Sequence, residues 1–150
     1  TLAKAIYELR SLSKSLNKDW LEQFNFIENL RTEKDRINAS KTIQIHFNHP
    51  QSIPLPADKQ IILFRVVQEA LQNGIKHSKA NNIEINVETT VQALSISIKD
   101  DGIGFDVLNS SNGLGLLNIK QRVHLLEGTV YWISNQTGTT LNIQLPIKEK

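Results

Sequence analysis

A chain of 150 residues has room for one domain with a sizeable core, not for two. Its 39% hydrophobic and 21% charged content is that of an ordinary globular protein, and a formal charge of +2 with no basic block gives no reason to expect a nucleic-acid partner. The absence of cysteine excludes a disulfide framework, a zinc–thiolate site and a thiol nucleophile, and fits a reducing, cytoplasmic compartment. No apolar run approaches the roughly 20 residues that span a bilayer. The chain begins at Thr1 and contains no Met, so it is expected to be a piece of a longer protein. A membrane anchor of that parent would lie outside it.

Thr1 to about Asn17 reads as helix. Leu2, Leu9 and Leu16 recur at heptad spacing, with Ile6 and Leu12 between them. The pattern fits either the end of a bundle helix or an ordinary amphipathic helix. A second helix is expected from about Leu21 to Ile37, with Leu21, Phe24, Ile27 and Leu30 forming a drifting stripe. Ile43, Ile45 and Phe47 alternate with polar residues and mark a strand. His49-Pro50 and Pro54-Leu55-Pro56 punctuate a loop. A long helix follows, from about Ala57 to His77, with Asp58 in the dipole-favoured first turn.

Ile83, Ile85 and Val87, then Leu94, Ile96 and Ile98, predict adjacent antiparallel strands with one buried face. Asp101 to Gly115 is a loop rich in Gly, Asn and Ser. Leu116, Ile119, Val123 and Leu126 define a helix face that ends before Gly128. Val130 to Ser134 and Leu141 to Leu145 read as two closing strands. The mixture predicts an α+β, two-layer α/β sandwich with helices on one face of the sheet.

On the long helix, Leu63, Val67, Ala70, Leu71 and Ile75 are expected to form the core face. Glu69, Asn73, Lys76 and His77 fall on another side within an arc of roughly 100°. A solvated face is the ordinary meaning of such a stripe. Asn is a mediocre helix former in mid-helix, however, and the four chemistries are complementary. A carboxylate can hold or deprotonate a nucleophile, an amide oxygen can ligate a hard cation, and an ammonium and an imidazole can meet phosphate. Together they suit a Mg²⁺-triphosphate.

Asp100-Asp101-Gly102-Ile103-Gly104 leaves the end of an apolar strand. A carboxylate there can accept from an exocyclic amine, and the glycines permit close approach or positive φ. Taken alone, Asp-Gly is more often a plain turn. Asn112-Gly113-Leu114-Gly115 directly precedes a helix and offers free backbone N–H groups to a phosphate, although a linker with a helix cap has the same composition. There is no P-loop, no Rossmann fingerprint and no His-Glu-x-x-His zinc motif. His46, His49 and His124 form no ligand-spaced cluster.

In this order the pieces resemble a known family. Gln68 to His77 resembles the N box of sensor histidine kinases, Asp100 to Phe105 their first glycine box, and Gly113-Leu114-Gly115-Leu116 with Arg122 their second. Gly138-Thr139-Thr140 and the strand to Pro146 resemble the terminal strand of the same ATPase superfamily, which includes DNA gyrase. The likeness covers about Asp19 to Lys150 and looks closest to the nitrate-sensor type, with its Gln-Glu pair and short nucleotide lid. Residues 1–18, with Leu9-Arg10-Ser11-Leu12-Ser13, look like the end of that family's second dimerisation helix, and 19–150 like its ATPase domain.

The resemblance implies ATP and Mg²⁺ as ligands. Asn73 would ligate Mg²⁺, Lys76 and His77 would contact phosphates, and Glu69 would be the base or polariser for the attacking histidine. Asp100 would bind the adenine amine, with Gly102 and Gly104 allowing base and ribose to approach. Gly113 and Gly115 would line the triphosphate. Thr139 would support the adenine if it shares the inward parity of Leu141, Ile143 and Leu145; Thr140 is the alternative. The implied partners are the protein's own phosphoacceptor and dimerisation domain, a response-regulator receiver domain and a second copy in a homodimer. The family's phosphoacceptor histidine and the phosphatase motif that follows it are absent from this sequence. An anti-sigma-type serine kinase and a non-catalytic nucleotide-gated interaction domain share the same ATP site and remain as alternative readings.

Overall fold

The computed structural model describes residues 1–16, 22–105 and 114–147. Helix α1 (Leu2–Leu16) carries half-buried Leu2, Ile6 and Leu9, whereas Tyr7 is exposed. No described α1 side chain joins the buried core. The side chains of Leu12 and Leu16, and all of Leu21, lie outside the described residues.

Helix α2 spans Phe26–Ala39, starting later than the apolar stripe predicts. Asn25, in extended conformation, caps it by accepting from the Glu28 amide at 3.0 Å. The orphan amide of Phe26 donates to Gln60 Oε1 at 2.8 Å, and Gln60 Nε2 donates to the Leu55 carbonyl at 2.8 Å. One side chain thus ties the start of α2 to the start of the long helix. Phe24, expected on the helix, precedes it and meets Phe64 edge-on.

Strand β1 (Gln44–Asn48) lies at the edge of a five-stranded sheet and pairs in parallel with β2 (Asn82–Thr89). Its free edge is closed by Asn38 of α2. Asn38 Oδ1 accepts from the Ile45 amide at 2.7 Å, and Nδ2 donates to the Ile45 carbonyl at 3.1 Å. The amide thereby stands in for a neighbouring strand.

Helix α3 (Ala57–His77) has the expected bounds, with Pro56 preceding it and Asp58 in its first turn. It buries Leu63, Val66, Val67, Leu71 and Gly74. Ile75, expected in the core, is 41% exposed. The contact line ends instead at Gly74, where an added Cβ would lie 3.0 Å from Ile83 Cδ1. The helix approaches β2 so closely there that the buried position holds no side chain, and Ile75 is turned about 100° away.

β2, β3 (Ala93–Asp100), β4 (Thr129–Asn135) and β5 (Gly138–Pro146) are antiparallel, and the sheet order is β1-β2-β3-β5-β4. Ile83, Ile85, Val87, Leu94, Ile96, Ile98, Leu141, Ile143 and Leu145 share one buried face, as their period of two requires. Tyr131 and Ile133 of β4 are exposed on the other face. The α+β, two-layer sandwich predicted from element order is the one observed. Helix α4 (Leu114–Leu125) buries Ile119 and Val123, and Leu126 is buried in the turn beyond it. It stops with Glu127 at φ 59, and the Gly128 amide donates back to the Val123 carbonyl. Among the described residues no helix is long and apolar enough to cross a membrane.

Asn38→Ala should lower stability by about 1–3 kcal/mol, because two backbone groups of β1 lose their partner at once. Urea unfolding should show a reduced midpoint at an unchanged m-value.

Candidate functional site

The last turns of α3 form one wall of a cavity of about 640 Å³. Glu69, Asn73, Lys76 and His77 all line it, so the polar stripe faces a half-open cleft. Glu69 and Asn73 are half-buried; Lys76 and His77 are exposed at its rim. Gly74 and Ser78 contribute to the same wall.

The opposite wall is the inner face of the sheet. Strand register aligns Asp100 of β3 with Thr139 of β5, and Thr139 with Ser134 of β4. Two residues back along the strands, Ile98, Leu141 and Trp132 are aligned in the same way. A polar row and an apolar row therefore lie side by side, and all except Ser134 line the cavity. Thr139 is buried and shares the inward parity of Leu141, so Thr140 lies on the other face.

Hydrogen bonds hold the polar row. Asp100 Oδ1 accepts from the Gly102 amide at 2.9 Å and from the Thr139 amide at 3.2 Å. The Thr139 and Ser134 hydroxyls lie 2.7 Å apart, and Ser134 Oγ accepts from the Phe105 amide at 2.7 Å. The loop from Asp100 to Phe105 is thus fixed at both ends. Its glycines are needed for how it packs. A Cβ on Gly102 would overlap the Ser78 carbonyl oxygen, which accepts from the Ile103 amide at 2.8 Å. Gly104 has φ 76, and a Cβ there would overlap the Asn135 carbonyl oxygen. Gly104 borders the cavity, whereas Gly102 is buried against the end of α3.

Asp101 does different work from its neighbour. Its Oδ1 accepts from the Asn81 and Asn82 amides at 2.8 and 2.9 Å, and its Oδ2 from Asn82 Nδ2 at 3.0 Å. These bonds, led by that of the Asn82 side chain, hold the Asp101 carboxyl below the usual carboxylate range.

The first turn of α4 closes onto α3. A Cβ on Gly115 would lie 2.5 Å from Asn73 Nδ2 and 2.7 Å from Glu69 Oε1, so a side chain there would displace both polar groups. Gly113 lies outside the described residues. Further along α4, Arg122 is half-buried and its Nε has no hydrogen-bond partner. Burial lowers the pKa of its guanidinium; the charge of Glu69 opposes that and the charge of Arg65 adds to it. Sequence reasoning missed Ser134, Trp132, Phe105 and Ser78. Strand parity with Val130 could have found the two on β4. Among the described residues no three His, Cys, Asp or Glu side chains gather to hold a metal by themselves. The wall nonetheless offers a carboxylate and an amide oxygen on successive turns of α3, at Glu69 and Asn73. That donor set suits a hard cation whose remaining ligands come from a phosphate or water.

Comparison with known proteins agrees with this architecture. The family described as "Histidine kinase-, DNA gyrase B-, and HSP90-like ATPase" matches residues 58–149. The chain is 33% identical over 146 residues to the signal transduction histidine-protein kinase/phosphatase DegS of Brevibacillus brevis, covering 95% of this chain and 38% of that protein. The Bacillus subtilis DegS is 36% identical over 113 residues, 70% of this chain and 29% of that protein. The chain therefore spans well under half the length of these curated relatives. In fold it is similar to the blue-light activated histidine kinase of Erythrobacter litoralis EL346, with a TM-score of 0.72 at 20% identity over 93% of this chain and 49% of that one. It is also similar to the histidine kinase AdeS of Acinetobacter baumannii, with a TM-score of 0.66 at 21% identity over 99% of this chain and 79% of that one.

The lowered pKa of Asp101 makes stability depend on pH in a defined direction. The carboxylate is favoured in the folded state, so its contribution is complete above the unfolded-state pKa and is lost as pH falls through the folded-state value. Asp101→Asn should therefore melt below the parent at neutral pH, and the gap should close as pH drops below the ordinary carboxylate range. A series of thermal melts from neutral to strongly acidic pH checks this.

Proposed function

The chain belongs to the histidine kinase-, DNA gyrase B- and HSP90-like ATPase family and is an ATP-binding domain, and on that premise we propose that it is the catalytic domain of a two-component sensor histidine kinase. The observation that carries the reading is the convergence of Glu69 and Asn73 with Asp100 and Thr139 on one cavity, from opposite walls.

On this reading the adenine amine donates to the Asp100 oxygen opposite the one that accepts from Gly102 and Thr139. The base lies on the apolar row beside it, with Thr139 at its edge. Gly102 keeps the loop low enough, and Gly104 leaves room beside it, for base and ribose to enter. The triphosphate runs toward α3, where Lys76 and His77 neutralise its oxygens and Gly113 and Gly115 line it. Asn73 would hold Mg²⁺ through its amide oxygen, and the cation would neutralise charge on the β- and γ-phosphates. Transfer forms a bond from an imidazole nitrogen to the γ-phosphorus as the bond to the β–γ bridging oxygen breaks and ADP leaves. Glu69 takes or polarises the proton on the other imidazole nitrogen. Catalysis of this kind is mostly positioning and electrostatics.

The phosphoacceptor histidine would come from the protein's own dimerisation domain, of which residues 1–18 would be the last part and 19–150 the ATPase domain. The parent would work as a homodimer in the cytoplasm, or as the cytoplasmic part of a membrane sensor. It would pass the phosphoryl group to the receiver domain of a response regulator. The Gln68-Glu69 pair supports the nitrate-sensor type.

Calorimetry with Mg²⁺-ATP tests the site. The parent chain should bind, and Asp100→Asn should abolish binding; tight binding by that variant would remove Asp100 from its role. Asn73→Ala should spare nucleotide binding more than phosphoryl transfer, measured with the dimerisation domain supplied.

A further inference from the structure

Asp100 cannot by itself tell ATP from CTP. One of its oxygens already accepts two backbone amides. The other can take one exocyclic amine, and adenine and cytosine each carry such an amine next to a ring nitrogen. Discrimination needs a second contact that a bicyclic base makes and a single ring does not.

Among the described residues the phenyl ring of Phe105 and the indole of Trp132 line the cavity, and Trp132 is the one on the apolar row of the sheet. From Ile98 through Leu141 to Trp132, the apolar row spans two strand spacings, roughly 10 Å. Ile98 lies on the strand that carries Asp100, and Trp132 closes the far end of the row against α4. The indole is half-buried, borders the cavity and packs against the core. Exposed Lys120 of α4 places its Nζ 5.6 Å from the ring centroid, a cation–π contact on the ring. Leu116 and Ile119 of the same helix line the cavity beside it. A purine whose amine is held at Asp100 extends one ring further along this row, toward Trp132, than a pyrimidine held in the same way.

We infer that Trp132 is the residue that selects a purine over a pyrimidine nucleotide in this cavity. The inference rests on the reading that Asp100 takes the base amine. Its energetic scale is that of one aromatic contact added to apolar burial.

Calorimetry with ATP and CTP in Mg²⁺ provides the test. Trp132→Leu should weaken ATP binding by about tenfold and CTP binding by less than about twofold. Trp132→Phe, which keeps a ring and is the safer variant for folding, should hold ATP to within about threefold of the parent while leaving CTP unchanged. Equal losses for both nucleotides in the Phe variant, or no loss of ATP affinity in the Leu variant, would overturn the inference. An independent readout is the emission of Trp132 in a Trp20→Phe background. It should change saturably with ATP, and unchanged emission at saturating ATP would also overturn the inference. Asp100→Asn separates the two levels. If it still binds ATP normally, the base-site reading fails; if it does not bind while Trp132→Leu behaves as the parent, only the role of Trp132 fails.

Discussion

One oxygen of Asp100 accepts the amides of both Gly102 and Thr139, and much of the cavity's shape follows from that shared acceptor. The first bond folds the loop back at the end of β3. The second ties that end to β5, the strand paired with it in the sheet. Through the Thr139 hydroxyl the connection continues to Ser134 and returns to the loop at the Phe105 amide. A buried polar row of this kind is stable only when each member finds a partner. Here the partners come from three strands and the loop itself, which leaves the loop little freedom. Its two glycines then follow from sterics: the constrained path runs under the Ser78 carbonyl and past that of Asn135, where a side chain has no room.

The helical wall is set by a second pair of close approaches. Gly74 lets α3 lie almost against Ile83 of β2, and Gly115 lets α4 begin against Glu69 and Asn73. The Glu69 and Asn73 part of the stripe is thereby set against the start of α4, while Lys76 and His77 stay exposed. Half-burial raises the electrostatic value of the Glu69 carboxylate, because the local dielectric falls. Arg122 shows the same effect from the α4 side. Burial disfavours its charge, and Glu69 is the group that compensates.

What periodicity governs was legible in the sequence. The bounds of α3, the buried face of β2, β3 and β5, and the choice of Thr139 over Thr140 all follow from periods of 3.6 or 2. What depends on partners distant in sequence was not. Helix α2 starts at Phe26 because Asn25 caps it and Gln60, 34 residues away, accepts its first amide. Ile75 leaves the core because the buried line of α3 runs through Val66, Val67 and Gly74, which places Ile75 about 100° away. Ser134 and Trp132 read as ordinary residues of a closing strand until the sheet order sets β5 between β3 and β4. The family resemblance identified the motifs without supplying these contacts.

The adjacent aspartates show why the site needed the structure. By residue type alone Asp100 and Asp101 are two like carboxylates at a strand end, and only the family resemblance singles out Asp100. The pleat sends them apart. Asp101 meets the start of β2, where Asn81 and Asn82 engage both of its oxygens, so it has become a structural clamp. Asp100 meets Thr139, where both donors fall on a single oxygen. An acceptor facing a cavity is useful for recognition only if part of its capacity remains unspent, and its position must also be fixed. Asp100 meets both conditions because the same two bonds that immobilise it leave its second oxygen without a partner among the described residues. That asymmetry, rather than the presence of an Asp-Gly turn, is what supports the proposed role of Asp100 as the acceptor of a base amine.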